Sequence, residues 1–357
     1  PHPFQRPPLL EADLSFAISL TTSAAGRPAR QEFLDPVARL SSSLKAFDRE
    51  AISLMPPSVR RVHGDHSPGL LLFWVLLLGW PDFNLILQEI DGYPVIGHIP
   101  PSNLYPSVVP QDSVPLKTLL ETADKWNRSL ETSLGPAEDP ATDWELLRQT
   151  REDRSLKACW GPFSLEQLNN KWGAGCWRAI ARRGLWQEHN GKLRAIDNAR
   201  SSLHNDATEE QERLRVIGGD IVPSVARRFM TVLRDPSEPT LAAASSGLLK
   251  QRAAGRTTSS SGSIVLEKQC STSSSSSSGT RSALPQLLGS SEDWSRGYRQ
   301  RACRTSSLPF NVVAFYHIGL KRVLFWVYAG LLFGLASSVI SFNRTPALLV
   351  AVLRRVA

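Results

Sequence analysis

The stretch from Val323 to Phe342 constrains this chain more than any other, because it is a run of twenty residues without a charged side chain. About twenty apolar residues in a helix are long enough to cross a bilayer. On that reading Lys321, Arg322 and Arg344 flank a span, and Ala329, Gly330, Gly334 and Ala336 are small residues for helix packing. The same length also suits two buried elements separated by a glycine-containing turn. Val312 to Phe315 and Val323 to Val327 are β-branched and aromatic, as buried strands tend to be. Ala336 to Phe342, leading into Asn343 and Arg344, then opens a helix behind them.

The rest of the chain bears on that choice. Its 357 residues predict about two domains. It begins at Pro1, which is expected of a fragment or a processed product and leaves no leader peptide to judge. Net charge is +8, with nine Arg or Lys against two acids from Leu288 to Ala357 and six against two from Trp177 to Arg200. Such an excess favours an anionic partner, nucleic acid or an acidic membrane surface, and its simplest account is a solvated basic face. Cys159, Cys176, Cys270 and Cys303 have no short paired spacing, which argues against a zinc cluster and against a dense disulfide framework. His63 and His66 bracket Gly-Asp with no second pair to complete a tetrahedral site, so they read as a polar loop.

Along the chain, 1–68 is rich in Pro, Ser and Arg and predicts little order. Gly69 to Trp80 is a dense apolar run, too short for a span and suited to a buried helix or strand. The spacing of Leu116, Leu119, Leu120, Ala123, Trp126, Leu130 and Leu134 predicts one helix from Pro115 to Leu134, stopped at Gly135. Thr142 with Glu145, and Ser164 with Gln167, have capping-box spacing for two more helices. From Thr240 to Ser291 the chain is Ser-rich, including Ser273 to Ser278, and has too little apolar content to pack a core.

Ala179 to Glu188, His189-Asn190-Gly191 and Lys192 to Asp197 read as a β-hairpin with a tight Asn-Gly turn. Period-two geometry points Lys192, Arg194 and Ile196 to one side and Leu193, Ala195 and Asp197 to the other. Two cations then project together from a ribbon, a point charge and a planar bidentate donor suited to a nucleotide triphosphate. The plainer alternative is an exposed hairpin with solubilising charges.

Three separated pieces resemble, in order, the blocks of a reverse transcriptase. Lys192-Leu-Arg194-Ala-Ile196-Asp197-Asn-Ala-Arg200-Ser-Ser-Leu203-His-Asn205 is similar to the second block, in the fingers. Asp293-Trp-Ser-Arg-Gly297-Tyr298-Arg-Gln300 looks like the first palm block. Phe333-Gly334-Leu335-Ala-Ser-Ser-Val-Ile-Ser-Phe342 resembles the following block in retroelements of the tyrosine-recombinase type. The resemblance covers Trp160 to Ala357, interrupted by the Ser-rich segment. It implies an α+β fold, a partial right-hand polymerase with a fingers hairpin, an incomplete palm and helical N-terminal elements. It also implies that Lys192 and Arg194 contact nucleotide phosphates and that Tyr298 lies beneath the sugar and selects deoxynucleotides. Gly334 then belongs to the nucleotide site, Asp293 is the catalytic carboxylate and binds Mg²⁺, and Asp197, Arg200, Asn205 and Phe333 complete the motifs. Template-primer and deoxynucleotide are the implied partners.

Two-metal phosphoryl chemistry needs several carboxylates around the ions. The family supplies the others from an aromatic-x-Asp-Asp hairpin, whereas this sequence contains no Asp-Asp dipeptide and ends at Ala357 before such a hairpin is expected. The expectation is a truncated, inactive reverse-transcriptase-like protein. Its regions are an N-terminal segment of little order (1–68), a mainly helical region (69–158), a fingers-like subdomain (159–239), a disordered Ser-rich insertion (240–290) and a partial palm (291–357). Cytoplasmic or nuclear placement goes with this reading. The alternatives are a membrane-anchored protein with a span at 323–342, or a basic RNA-binding module without catalysis.

Overall fold

The computed structural model describes residues 26–109, 113–189, 191–214 and 296–356. The Ser-rich segment and Asp293 lie outside the described residues. What is described is mixed α+β with an open five-stranded sheet.

The sheet holds β2 (Cys159–Phe163), β3 (Ala179–Gln187), β4 (Lys192–Asn198), β6 (Val312–His317) and β7 (Arg322–Tyr328) in the order β2-β7-β6-β3-β4. A separate two-stranded parallel pair joins β1 (Gly97–Ile99) to β5 (Thr208–Glu210). In the large sheet β3 and β6 run parallel, with Ala179 opposite Val312 and Ala181 opposite Ala314, while β6 and β7 form an antiparallel hairpin from Val312↔Val327 to His317↔Arg322. Both faces of these central strands are covered, which is why their sequence reads as continuous apolar residues rather than alternation.

One face presents Ile180, Val313, Phe315, Trp326 and Tyr328 to a core shared with helices α4 (Pro68–Leu77), α5 (Asn84–Asp91), α8 (Pro140–Ser155) and α10 (Ala336–Val356). The other presents Ala181, Val312, Ala314, Phe325 and Val327 to α7 (Ala123–Ser133) and α9 (Leu165–Trp172), with Trp177 edge-on to Phe325 at 5.2 Å. Truncating a fully buried aromatic such as Phe325 to Ala in such a layer costs about 3–5 kcal/mol.

The uncharged run is therefore β7, a turn, and the first residues of α10, not one helix. Among the described residues no helix is long and apolar enough to cross a membrane. The single helix expected over Pro115–Leu134 is two, α6 (Leu116–Glu121) and α7, parted at Thr122. The break lets α7 turn its polar Asn127 inward: the amide donates to the Trp177 carbonyl at 2.8 Å and accepts from Ala179 N–H at 2.9 Å, tying the helix to the start of β3. Asp139, not Thr142, caps α8, accepting from Ala141 N–H at 2.9 Å, because Pro140 starts the helix two residues before Thr142. The Ser164–Gln167 capping box is present as the spacing predicts, and α9 ends at Gly173 with φ +94°.

Within 26–68, where the sequence predicts little order, the chain forms α1 (Gly26–Ser43), α2 (Lys45–Leu54) and α3 (Pro57–His63). Met55 and Val59 are buried there, packed with Ala302. Arg344 on α10 adds a buried anchor, donating to both oxygens of Asp82 at 2.6 and 2.5 Å and to Gln88. These partners are 256 and 262 residues away in sequence, so local pattern carries no trace of them.

Candidate functional site

The β3–β4 hairpin puts its charges where alternation predicts. Lys192, Arg194 and Ile196 are exposed, while Leu193 and Asp197 are buried. The connection is longer than a two-residue turn: Gln187 pairs with Lys192, and Gly191, at φ +61°, donates its N–H back to the Gln187 carbonyl at 2.9 Å. A glycine is suited to that left-handed backbone, which explains the Asn-Gly signal without the tight turn.

At the other end of β4, Asp197 is not at the surface. Its two oxygens accept from Arg182 Nε at 2.6 Å and Nη2 at 3.0 Å, inside the sheet. Arg182 also donates to the Tyr328 hydroxyl, which in turn donates to Asp153 at 3.1 Å. Arg299, one residue after Tyr298, lies over the Tyr328 ring at 4.3 Å, 3.4 Å from Asp153 and 3.7 Å from Asp197. Arg296 reaches Asp153 at 3.0 Å and Glu152. Burial alone would lower the Arg182 pKa, but the charge of Asp197 outweighs it and holds the guanidinium well above its ordinary value. Burial pushes the Tyr328 hydroxyl up. The motif carboxylate Asp197 therefore works as a structural counter-ion.

The turn that carries Phe333 and Gly334 meets the same strand end. Gly334 has φ +106°, and a Cβ there would collide with the Asp197 carbonyl oxygen. Asn205 closes the contact from the next loop: Nδ2 donates to the Gly334 carbonyl at 3.0 Å, and Oδ1 accepts from Ala336 N–H at 3.0 Å, capping α10. Tyr298 sits on a 3₁₀ turn, Gly297–Gln300, with its ring 5.3 Å from Phe333 and 5.0 Å from Phe342. Burial raises its hydroxyl pKa. Asp197, Asn205, Tyr298, Phe333 and Gly334 are thus brought together. Arg194 stands about 10 Å up the strand from Asp197 by strand rise, and Lys192 lies further out. Arg200 is exposed in the turn after β4.

No magnesium site is formed by the described residues of this region. Asp153 and Asp197 are both taken up by arginines, and Asp293 lies outside the described residues. Among the described residues, one trio has metal-ligand spacing: His63, His66 and Glu89. Its chemistry argues against an ion. His63 Nε2 accepts from Ala302 N–H at 2.7 Å, so Nδ1 carries the ring proton and donates to the Glu89 carbonyl at 2.7 Å. Neither ring nitrogen keeps a lone pair for a metal. Burial lowers the His63 pKa to about 4, in keeping with the neutral ring. Burial would raise Glu89, but His63, His66 and Arg301 hold it at about 2, with Arg301 3.2 Å away and His66 bonded to the other oxygen. The two histidines expected to lie in a polar loop are instead a clamp between the N-terminal helices and the strand-like segment at Ala302.

Sequence reasoning missed Arg182, Tyr328, Asp153 and Arg299, which position the strand end. The available signal was Arg182-Arg183 on a strand, where neighbours must face opposite ways and one of two cations is driven inward. Comparison with known proteins gives no counterpart: no family model matches the chain, and no curated protein and no solved structure matches it.

Proposed function

We propose that this chain is the fingers and part of the palm of a reverse-transcriptase-like polymerase, and that the β4 end, the Tyr298 turn and the Phe333–Gly334 turn form one face of a deoxynucleotide site. The observation that carries the reading is the Gly334 junction. Two sequence blocks 129 residues apart meet through the Asn205 bonds and the Asp197 contact, and Tyr298 of the third packs on Phe333 and Phe342. In this reading Lys192 and Arg194 bind phosphates as exposed cations on a rigid ribbon, and the Tyr298 ring, backed by Phe333 and Phe342, supports the sugar. In an intact polymerase the reaction is RNA-templated addition of deoxynucleotides to a primer 3′-hydroxyl, with Mg²⁺ supplying charge neutralisation at the phosphates. The sequence here contains no Asp-Asp pair, so the chain binds nucleotide and template-primer without completing that chemistry.

The test is anisotropy of a fluorescent deoxynucleotide with and without Mg²⁺, for the wild type and Asp293→Asn. Magnesium-dependent binding that the substitution abolishes supports the reading. Salt-dependent RNA affinity with no magnesium-dependent nucleotide binding assigns the chain instead to a basic RNA-binding module, which the exposed hairpin cations also suit.

A further inference from the structure

The ladder between β3 and β6, the parallel pair of the five-stranded sheet, stops at Ala181↔Ala314, although β3 runs on to Gln187 and β6 to His317. Where the two strands part, 182–184 and 315–316 line a cavity of about 340 Å³, together with 133–138 at the junction of α7 and α8. Open sheets with parallel strands bind ligands in the crevice at the carboxyl ends of those strands, where neighbours diverge. Asp143, in the first turn of α8, lines this cavity and is only 4% exposed. Among the described residues its carboxylate makes one hydrogen bond, accepting from Ala137 N–H through Oδ2 at 2.9 Å. Burial raises its pKa above the ordinary carboxylate value, opposed by that bond. A buried carboxylate is ordinarily paired with a cation. None is paired with it among the described residues: Arg182 is bonded to Asp197, and at the exposed rim Arg183 and Glu138 carry opposite charges. The start of α8 contributes partial positive charge, which lets a carboxylate sit there but is not a counter-ion.

We propose that this cavity binds a small organic ammonium compound, with the ammonium group on Asp143 Oδ1. The class of ligand follows from what the carboxylate lacks and from which of its oxygens is open. A divalent metal ion does not fit: among the described residues the trio with metal-ligand spacing is His63, His66 and Glu89, and Asp143 belongs to no such group. A guanidinium binds a carboxylate best through two parallel bonds, one to each oxygen. Oδ2 is already taken by Ala137 N–H, so a single oxygen remains, and a compact charge with rotatable donors matches it better than a planar fork. Tyr316, half-buried in the cavity wall, adds an aromatic ring, which also favours a cation. The volume is at the small end of the roughly 300–1,000 Å³ of ligand cavities, which limits the size of the compound. Neither the cavity nor its ligand depends on the polymerase reading, which Asp293→Asn tests separately.

The experiment is a nuclear magnetic resonance titration of the full chain with butylammonium, butylguanidinium and butanol, which share one alkyl chain and differ in the head group. Butylammonium is expected to shift the backbone amides of 133–138 and 182–184 saturably, with half-saturation at about 1–10 mM, within the ceiling for so small a ligand. Butylguanidinium is expected to bind more weakly, and butanol to leave these amides unmoved over the same range. Asp143→Asn keeps an oxygen to accept from Ala137 N–H and removes the charge, and it is expected to weaken butylammonium by about 10- to 150-fold, the loss of a hydrogen bond between charged groups. Circular dichroism identifies a variant that fails to fold, and the comparison of the three head groups on the wild type then carries the test. Butanol or butylguanidinium binding as tightly as butylammonium, unchanged affinity in folded Asp143→Asn, or no saturable shift at these amides would each overturn the assignment.

Discussion

Asn205 holds the turn at Gly334 from both sides, donating to the Gly334 carbonyl and accepting from the N–H two residues later, each at 3.0 Å. One side chain thus supplies the cap that α10 lacks locally and fixes the loop after β4 to a segment 129 residues away. Asn205→Ala is expected to cost about 1–2 kcal/mol, in the range of a lost helix cap. A lower urea midpoint with an unchanged m-value checks it, and an unchanged midpoint contradicts it.

Gly334→Ala should be worse tolerated than an alanine at an ordinary turn glycine. The backbone is at φ +106° and the new methyl would meet the Asp197 carbonyl, so relief requires moving α10 or β4. A loss of about 1–3 kcal/mol is expected from the strained backbone alone. Gly191→Ala provides the comparison: it also has positive φ but open space around it, and it should lose less.

The Arg182–Asp197 pair is buried, so its halves should not behave alike when removed singly and together. Asp197→Leu alone leaves the guanidinium without its main counter-ion and should cost about 3–5 kcal/mol. Arg182→Met combined with Asp197→Leu should recover part of that loss. A double-mutant cycle by urea unfolding measures the coupling, and strict additivity would show that the pair is not coupled.

Acid should weaken the fold through histidines that are kept neutral. Burial brings both His63 and His204 down to about 4, with Arg178 adding to the effect at His204. Their unfolded values are near 6.5, so the unfolded chain binds more protons between roughly pH 6.5 and 4. The stabilisation is complete above about pH 6.5 and is lost as the pH falls towards 4, by up to about 1.4 kcal/mol per pH unit for each ring. Unfolding free energy measured across that window should fall, and His63→Asn should flatten the slope. Addition of zinc or a chelator should leave the melting temperature unchanged, because both ring nitrogens of His63 are already bonded.

What was legible in the sequence was local. The alternation of β4, the Ser164–Gln167 cap and the apolar strands β6 and β7 depend on neighbours within a few residues, and pattern conveys them. The break at Thr122 and the cap at Asp139 were hidden because Asn127 and Pro140 act through tertiary contact and fixed backbone geometry rather than periodicity. The role of His63 was misplaced for the same reason, and the arginine partner of Asp197 was equally hidden. Each is set by a partner whose position only the fold determines: Ala302 lies 239 residues from His63, and Arg182 is brought to Asp197 by strand pairing.

The central claim is that separated blocks form one nucleotide face, and photolabelling tests it most directly. A deoxyadenosine triphosphate carrying an azide on the base is bound in the presence of Mg²⁺, irradiated, and the labelled peptides are mapped. The account predicts label on peptides from 192–205 and 297–342, competed by unlabelled deoxynucleotide and lost in Arg194→Ala. Label confined to other peptides, or label at these positions that unlabelled deoxynucleotide does not displace, would contradict it.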